Sequence, residues 1–108
     1  MIVLYTGRRG AGKTLSMVKD GYKFSLNGYK VYSNIELGFA EYVENDWILN
    51  IHKTELHDIV LIIDEIQLLI DSRRSARKGN VDFSYFIQQI RKRNIIILCT
   101  TQAPTPRI

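Results

Sequence analysis

Residues 2–14 read Ile2-Val3-Leu4-Tyr5-Thr6-Gly7-Arg8-Arg9-Gly10-Ala11-Gly12-Lys13-Thr14, an apolar run that stops at a glycine and gives way to a glycine-rich turn. The turn has the spacing G-x-x-x-x-G-K-[ST]. In that pattern backbone N–H groups converge on phosphate oxygens, the lysine reaches the outer phosphates and the hydroxyl meets Mg²⁺. The run before it is short and continuous, which predicts a buried strand over 2–6. The segment after it, 14–26, places Leu15, Val18, Tyr22 and Leu26 on one stripe of an amphipathic helix. Asn27-Gly28 closes that helix, with Gly28 at the position just past its end.

The remainder of the chain repeats the alternation. Tyr29–Asn34 has strand composition, and Ile59–Asp64 is a continuous apolar run ending in a carboxylate. A short helix is predicted from 66–70, and the polar, basic stretch 71–80 reads as a loop ending in Gly79-Asn80. Phe83, Phe86, Ile87 and Ile90 recur at helical spacing, with Asn80 or Asp82 as the cap, and Ile95–Thr100 forms a last strand. Residues 35–58 show no sustained period. Strands alternating with helices predict an α/β domain whose sheet is mainly parallel and buried on both faces.

Bulk properties narrow the classes. The 108 residues make one domain, 1–108, able to bury roughly 60–70% of its unfolded surface. No apolar run approaches the ~20 residues of a bilayer span, and the start lacks the basic region and cleavage site of a signal peptide. The single cysteine, Cys99, excludes an internal disulfide and fits a reducing compartment. A net charge of +4 permits contact with a polyanion. Arg73, Arg74, Arg77 and Lys78 form one basic cluster, and Arg91, Lys92 and Arg93 another.

Chemistry concentrates in four places. Gly7, Gly10 and Gly12 permit positive φ and close backbone approach, and the loop opens a helix whose dipole favours anions. The segment Gly7, Arg8, Arg9, Gly10, Ala11, Gly12, Lys13, Thr14 and Leu15 is therefore read as the binder of a nucleoside triphosphate. Lys13 serves the β- and γ-phosphates and Thr14 serves Mg²⁺; Arg8 and Arg9 either touch phosphate or face solvent. Asp64 ends an apolar strand, where a carboxylate holds the Mg²⁺ shell, and Glu65 beside it suits the activation of water. Thr100-Thr101-Gln102 end the last strand. If that strand lies between the other two, Gln102 senses the γ-phosphate or places the water. Arg73, Arg74, Arg91 and Arg93 are candidates for an arginine finger, a contact with nucleic-acid phosphate, or simply a solvated face. His52 and His57 lack partners at metal-like spacing, Cys99 reads as a core residue, and Trp47 with Tyr42 reads as packing, the alternative being a stacking surface for a base.

Taken in order, the G-x-x-x-x-G-K-T turn, Tyr-Lys-Val-Tyr-Ser-Asn34-Ile, Leu-Ile-Ile-Asp64-Glu65-Ile66-Gln67, the basic stretch with Asp71-Ser72-Arg73, Gln89-Ile90-Arg91-Lys92 and Thr101-Gln102 resemble a known group. They are similar to the P-loop ATPases of the zonula-occludens-toxin and filamentous-phage assembly type, within the FtsK–HerA group that includes viral DNA-packaging ATPases. The resemblance covers nearly the whole chain. It implies a three-layer α/β/α P-loop NTPase sandwich with a RecA/FtsK–HerA-like core. The strands would lie in the order 29–34, 59–64, 95–100 and 2–6, leaving 2–6 at an edge. It implies ATP and Mg²⁺ as ligands, Lys13 and Thr14 on phosphate and Mg²⁺, Asp64 on Mg²⁺, Glu65 as catalytic carboxylate and Gln102 as polar sensor.

The expected function is an ATP-hydrolysing motor core for viral DNA packaging, DNA translocation, or virion assembly and export. It would work as a homo-oligomeric ring, with DNA or virion assembly proteins as partners. The expected location is the cytoplasm (the host's, if viral), with membrane association only through partners. Two departures stand out: the phage-assembly relatives carry a membrane span after the ATPase domain, and family domains continue past Gln102, so the chain reads as a truncated core or as one whose edge strand 2–6 is covered by something else. The alternatives are a nucleotide kinase with 71–80 as its lid, or a truncated module that binds nucleotide or nucleic acid without turnover. No Asn-Lys-x-Asp element supports a GTPase.

Overall fold

Residues Val60–Ile63 form a strand with no exposed side chain, flanked on both edges by parallel neighbours. The structure, a computed structural model, describes residues 1–7, 12–75 and 83–102, with the side chains of 72–75 left undescribed. Its elements in chain order are β1 (Ile2–Tyr5), α1 (Lys13–Leu26), β2 (Val31–Ser33), β3 (Glu41–Tyr42), α2 (Asn45–Leu49), a 3-10 turn (Ile51–Lys53), β4 (Val60–Ile63), α3 (Ile66–Ser75), α4 (Phe83–Lys92) and β5 (Ile96–Thr100). The five strands make one all-parallel sheet in the order β1-β5-β4-β2-β3. That matches the expected order of the four long strands and adds β3 at the far edge.

Helices cover both faces. Val60 and Ile62 of β4 pack with Met17 of α1, Val31 and Leu98. The alternate residues Leu61 and Ile63 pack with Ile48 of α2, Leu69 of α3, and Phe86 and Ile90 of α4. This period-two division is why an unbroken apolar run is needed at the centre. Trp47 stacks on Tyr32 with ring centroids 5.3 Å apart, so it is a packing residue within the 35–58 region.

Three expectations need correction. First, β1 is not buried: Ile2 and Leu4 are 47% and 53% exposed. It pairs only with β5, and only its Val3 and Tyr5 side packs toward α1. Second, the stripe Leu15, Val18, Tyr22, Leu26 is not the inward face of α1. Leu15 and Leu26 are 65% and 67% exposed, whereas Met17 and Gly21 are buried. Gly21 sits against β4 so closely that a Cβ there would meet Ile62 Cδ1 at 2.5 Å. The helix docks by its smallest residue, and a glycine carries no weight in a hydrophobic periodicity. Third, 71–75 is helix, not loop, because α3 runs to Ser75. Arginine is a good helix former, so polarity alone does not end a helix. The rest of that stretch, and the caps Asn80 and Asp82, lie outside the described residues.

The end of α1 follows expectation in detail. Gly28 has φ 94°, its N–H donates to the Ser25 carbonyl at 3.1 Å, and the Tyr29 N–H donates to the Phe24 carbonyl at 3.1 Å. This is a Schellman closure, sealed by edge-to-face contact of the Phe24 and Tyr29 rings at 5.3 Å. It turns the chain back into β2, which pairs with β4.

Two measurements check this packing. Met17→Ala should cost about 2–5 kcal/mol in urea unfolding, whereas Leu26→Ala should stay within about 0.5 kcal/mol; equal losses would restore the expected stripe. Cys99 is buried, and burial pushes its thiol up from its ordinary value near 9 to about 11. Below pH 9 the thiol is neutral folded or unfolded. Between 9 and 11 only the unfolded chain releases the proton, so stability should fall across that window, and Cys99→Ala should remove that part of the slope.

Candidate functional site

The carboxyl ends of β1, β5 and β4 lie side by side, and the residues just beyond them meet. Gly7 (φ 141°) follows β1, and Gly12 (φ 81°, left-handed) caps α1 without a side-chain bond. Both conformations suit glycine. Gly12 delivers Lys13 and Thr14 as the first residues of α1. Lys13 Nζ donates to the Thr101 carbonyl at 2.6 Å and to the Gly7 carbonyl at 3.4 Å. Thr14 Oγ1 donates to Asp64 Oδ1 at 3.3 Å. Two residues that are 50 positions apart in sequence thus form one donor set.

Thr100 organises the carboxylates. Its hydroxyl, fully buried, donates to Asp64 Oδ1 at 2.7 Å and accepts the Glu65 N–H at 2.8 Å. Glu65 itself adopts φ 58°, a left-handed conformation that glycine takes readily and glutamate rarely. The Thr100 hydroxyl and the helical bond from Leu68 N–H to the Glu65 carbonyl, 2.9 Å, hold it there. On the other side Asn34, just past β2, accepts the Asp64 N–H at 2.8 Å and donates to the Asp64 carbonyl at 3.2 Å. The Asp64–Glu65 turn is therefore fastened from the strands on both sides of β4.

Gln102 reaches the same cluster through its backbone. Its N–H donates to Gln67 Oε1 at 3.4 Å, and Gln67 Nε2 donates to Glu65 Oε1 at 3.5 Å. Lys13, Thr14, Asp64 and Glu65, expected at one site, are brought together, and the Gln102 backbone joins them, whereas the expectation was for its side chain. Leu15 is exposed on α1, on the side away from the sheet. Arg8, Arg9, Gly10 and Ala11 lie outside the described residues.

Of the candidate arginines, Arg91 and Arg93 are not brought to Lys13. Arg91 is exposed in the last turn of α4, and the chain then enters β5 at its amino end, at the opposite end of the sheet from Lys13. Arg93 is committed elsewhere: its guanidinium donates to the carbonyls of Thr54 (2.7 Å), Leu56 (3.1 Å) and His52 (3.2 Å), and to Gln89 Oε1 (2.9 Å). That is a structural pin for the segment before β4. Arg73 and Arg74 belong to the last turn of α3, with side chains undescribed. His57 pairs with Asp58 at 2.6 Å on the surface. A hollow of about 600 Å³ lined by Glu41, Tyr42, Asp46, Trp47 and Lys53 lies around β3 and α2 and is lined by neither Lys13 nor Asp64.

Among the described residues no group of three or more His, Cys, Asp or Glu side chains could hold a metal. Mg²⁺, however, keeps several waters and takes few protein ligands, commonly one carboxylate beside substrate phosphates. The Thr14 hydroxyl and the Asp64 carboxylate, joined only by a long hydrogen bond, fit that modest demand. They would hold the ion, which would supply charge neutralisation on a bound phosphate.

Sequence reasoning undervalued Thr100 and Asn34 and missed Asn45, which accepts from Asn34 Nδ2 at 2.9 Å. A polar residue closing a buried apolar strand was the available signal for the first two. Asn45 offered none, since its segment has no period. No protein-family model matches the chain, and no curated protein matches it. No helix among the described residues is long and apolar enough to cross a membrane.

Thr100→Val keeps the shape and removes the hydroxyl, leaving the Glu65 N–H without its acceptor. It should cost about 1–3 kcal/mol, measured by denaturant unfolding, while Thr100→Ser should retain most of the stability. A valine variant as stable as the parent would remove Thr100 from its organising role.

Proposed function

We propose that the chain is a P-loop ATPase domain that binds ATP with Mg²⁺ and hydrolyses it, as the motor core of a machine for viral DNA packaging, DNA translocation or virion assembly. The observation that carries this reading is the convergence of Lys13 Nζ, Thr14 Oγ1 and Asp64 Oδ1 at the carboxyl edge of a parallel sheet. Ligands of open α/β sheets bind at that edge. The all-parallel order β1-β5-β4-β2-β3 supports it, since β5 separates the phosphate-turn strand from the carboxylate strand.

Within this reading Lys13 exchanges the Thr101 carbonyl for the outer phosphates. Thr14 and Asp64 hold Mg²⁺, and Glu65 orients the attacking water. Gln102, beside Gln67, reports the γ-phosphate to the end of β5. Charge on the transferring group is commonly neutralised by an arginine worth about 10³–10⁵ in rate. Arg91 stands at the opposite end of the sheet and Arg93 is a structural pin. In this reading the arginine comes from a neighbouring copy in a ring, or from one of this chain's other arginines, Arg8, Arg9, Arg73 and Arg74 among them. The kinase alternative offered 71–80 as a lid, of which 71–75 is the end of α3. Among the described residues no feature of the site favours it.

Lys13→Ala should abolish ATP binding. Glu65→Gln should keep the ATP affinity and lower kcat by about 10²–10⁴, both read by titration calorimetry and phosphate release. Turnover that rises faster than linearly with protein concentration and is stimulated by DNA would support the motor. Phosphoryl transfer to a nucleoside monophosphate, or full turnover by Glu65→Gln, would overturn it.

A further inference from the structure

We infer that Asn45, the first residue of α2, is a positioning residue for the Asp64–Glu65 turn and acts entirely through Asn34. The inference rests on the hydrolase reading above for its consequence, but its geometry stands on its own. Asn34 offers one carbonyl oxygen and two N–H donors. The oxygen takes the Asp64 N–H at 2.8 Å, and Nδ2 gives to the Asp64 carbonyl at 3.2 Å and to Asn45 Oδ1 at 2.9 Å. The Asp64 peptide thus presents a donor and an acceptor, and Asn34 must meet them with its ends the right way round.

An amide turned over by half a rotation about its last bond would set N–H against N–H and oxygen against oxygen. The Asp64 N–H and carbonyl are backbone groups that cannot turn over, so they set that orientation, and Asn45 Oδ1, by taking the second hydrogen of Asn34 Nδ2, reinforces it. Asn45 is well placed for this and not otherwise committed to its helix. Position α2 begins after Glu44, whose side chain makes no cap bond, and Asn45 turns toward Asn34.

The turn needs such a fastening for two reasons. Glu65 holds φ 58°, a conformation that persists in a non-glycine residue only when its surroundings over-determine it. The turn also borders a hollow of about 230 Å³, lined by Asn34, Ile35, Asn45, Asp64, Glu65 and Leu68, so water can compete for any bond left loose. Thr100 fastens the Glu65 N–H from the β5 side. Asn45 and Asn34 fasten the Asp64 peptide from the β2 side, which sets where both carboxylates stand relative to Thr14.

The test uses the full chain and the variants Asn34→Ala, Asn45→Ala, Asn45→Asp and the double alanine variant. Asn45→Ala should lower kcat for ATP about tenfold with KM changed less than about twofold, since the loss is one of carboxylate placement and not of phosphate binding. Asn45→Asp keeps the acceptor and should retain most of the turnover. The double variant should be no slower than Asn34→Ala alone, because residues acting in series are not additive. Amide exchange followed by NMR gives a readout that needs no activity. The Asp64 N–H should exchange at least about tenfold faster in Asn45→Ala, with the Glu65 N–H unchanged. Additive losses, or an Asp64 amide as protected in Asn45→Ala as in the parent, would overturn the inference. Should the parent chain fail to hydrolyse ATP, the hydrolase reading falls, and the exchange result alone decides whether Asn45 holds Asn34.

Discussion

Everything in this domain that resembles a working site follows from the burial of β4 between two parallel neighbours and two apolar layers. Its four side chains divide alternately between the α1 face and the α2–α3–α4 face, so the strand has no freedom to slip by a residue. Where it ends, Asp64 and Glu65 must end too. The carboxylates are therefore placed by apolar packing, at a cost met by the core, before any ligand contributes.

Three strand ends then act as one object. β5 brings Thr100, which ties Asp64 to Glu65. β1, through Gly7 and Gly12, brings Lys13 and Thr14 to the same edge, and Lys13 already bonds the Thr101 carbonyl at the end of β5. β2 brings Asn34 to the far side of Asp64. Each link is short and polar, and the central one is buried. A lost partner therefore leaves an unsatisfied group in a region of low dielectric, which makes the network costly to disturb. The opposite edge of the sheet is held differently, by Arg93 gathering three carbonyls ahead of β4. One end of the sheet is devoted to stability and the other to charge.

The long strands and the glycine that opens α1 were legible in the sequence because each depends on a local pattern: an unbroken apolar run, a glycine at a fixed place, a carboxylate after an apolar strand. The inward face of α1 was not. Leu15, Tyr22 and Leu26 outweigh Met17 and Gly21 in any hydrophobic count, yet only Gly21 lets the helix approach Ile62. Arg93 looked like a free cation because sequence does not show that three carbonyls await it. Asn45 was invisible for a similar reason: its role exists only once β2, β4 and α2 are adjacent. Side chains with roles set by distant backbone atoms are the ones that pattern reading loses.

The most direct test of the central claim is a titration of the labelled chain with ATP and Mg²⁺, followed residue by residue in its amide spectrum. Saturable shifts concentrated at Gly7, Gly12, Lys13, Thr14, Asp64 and Thr101, and absent without Mg²⁺ at Asp64, are the predicted result. No saturable shift at these positions, or shifts gathered instead around Tyr42 and Trp47 at the other edge of the sheet, would contradict it.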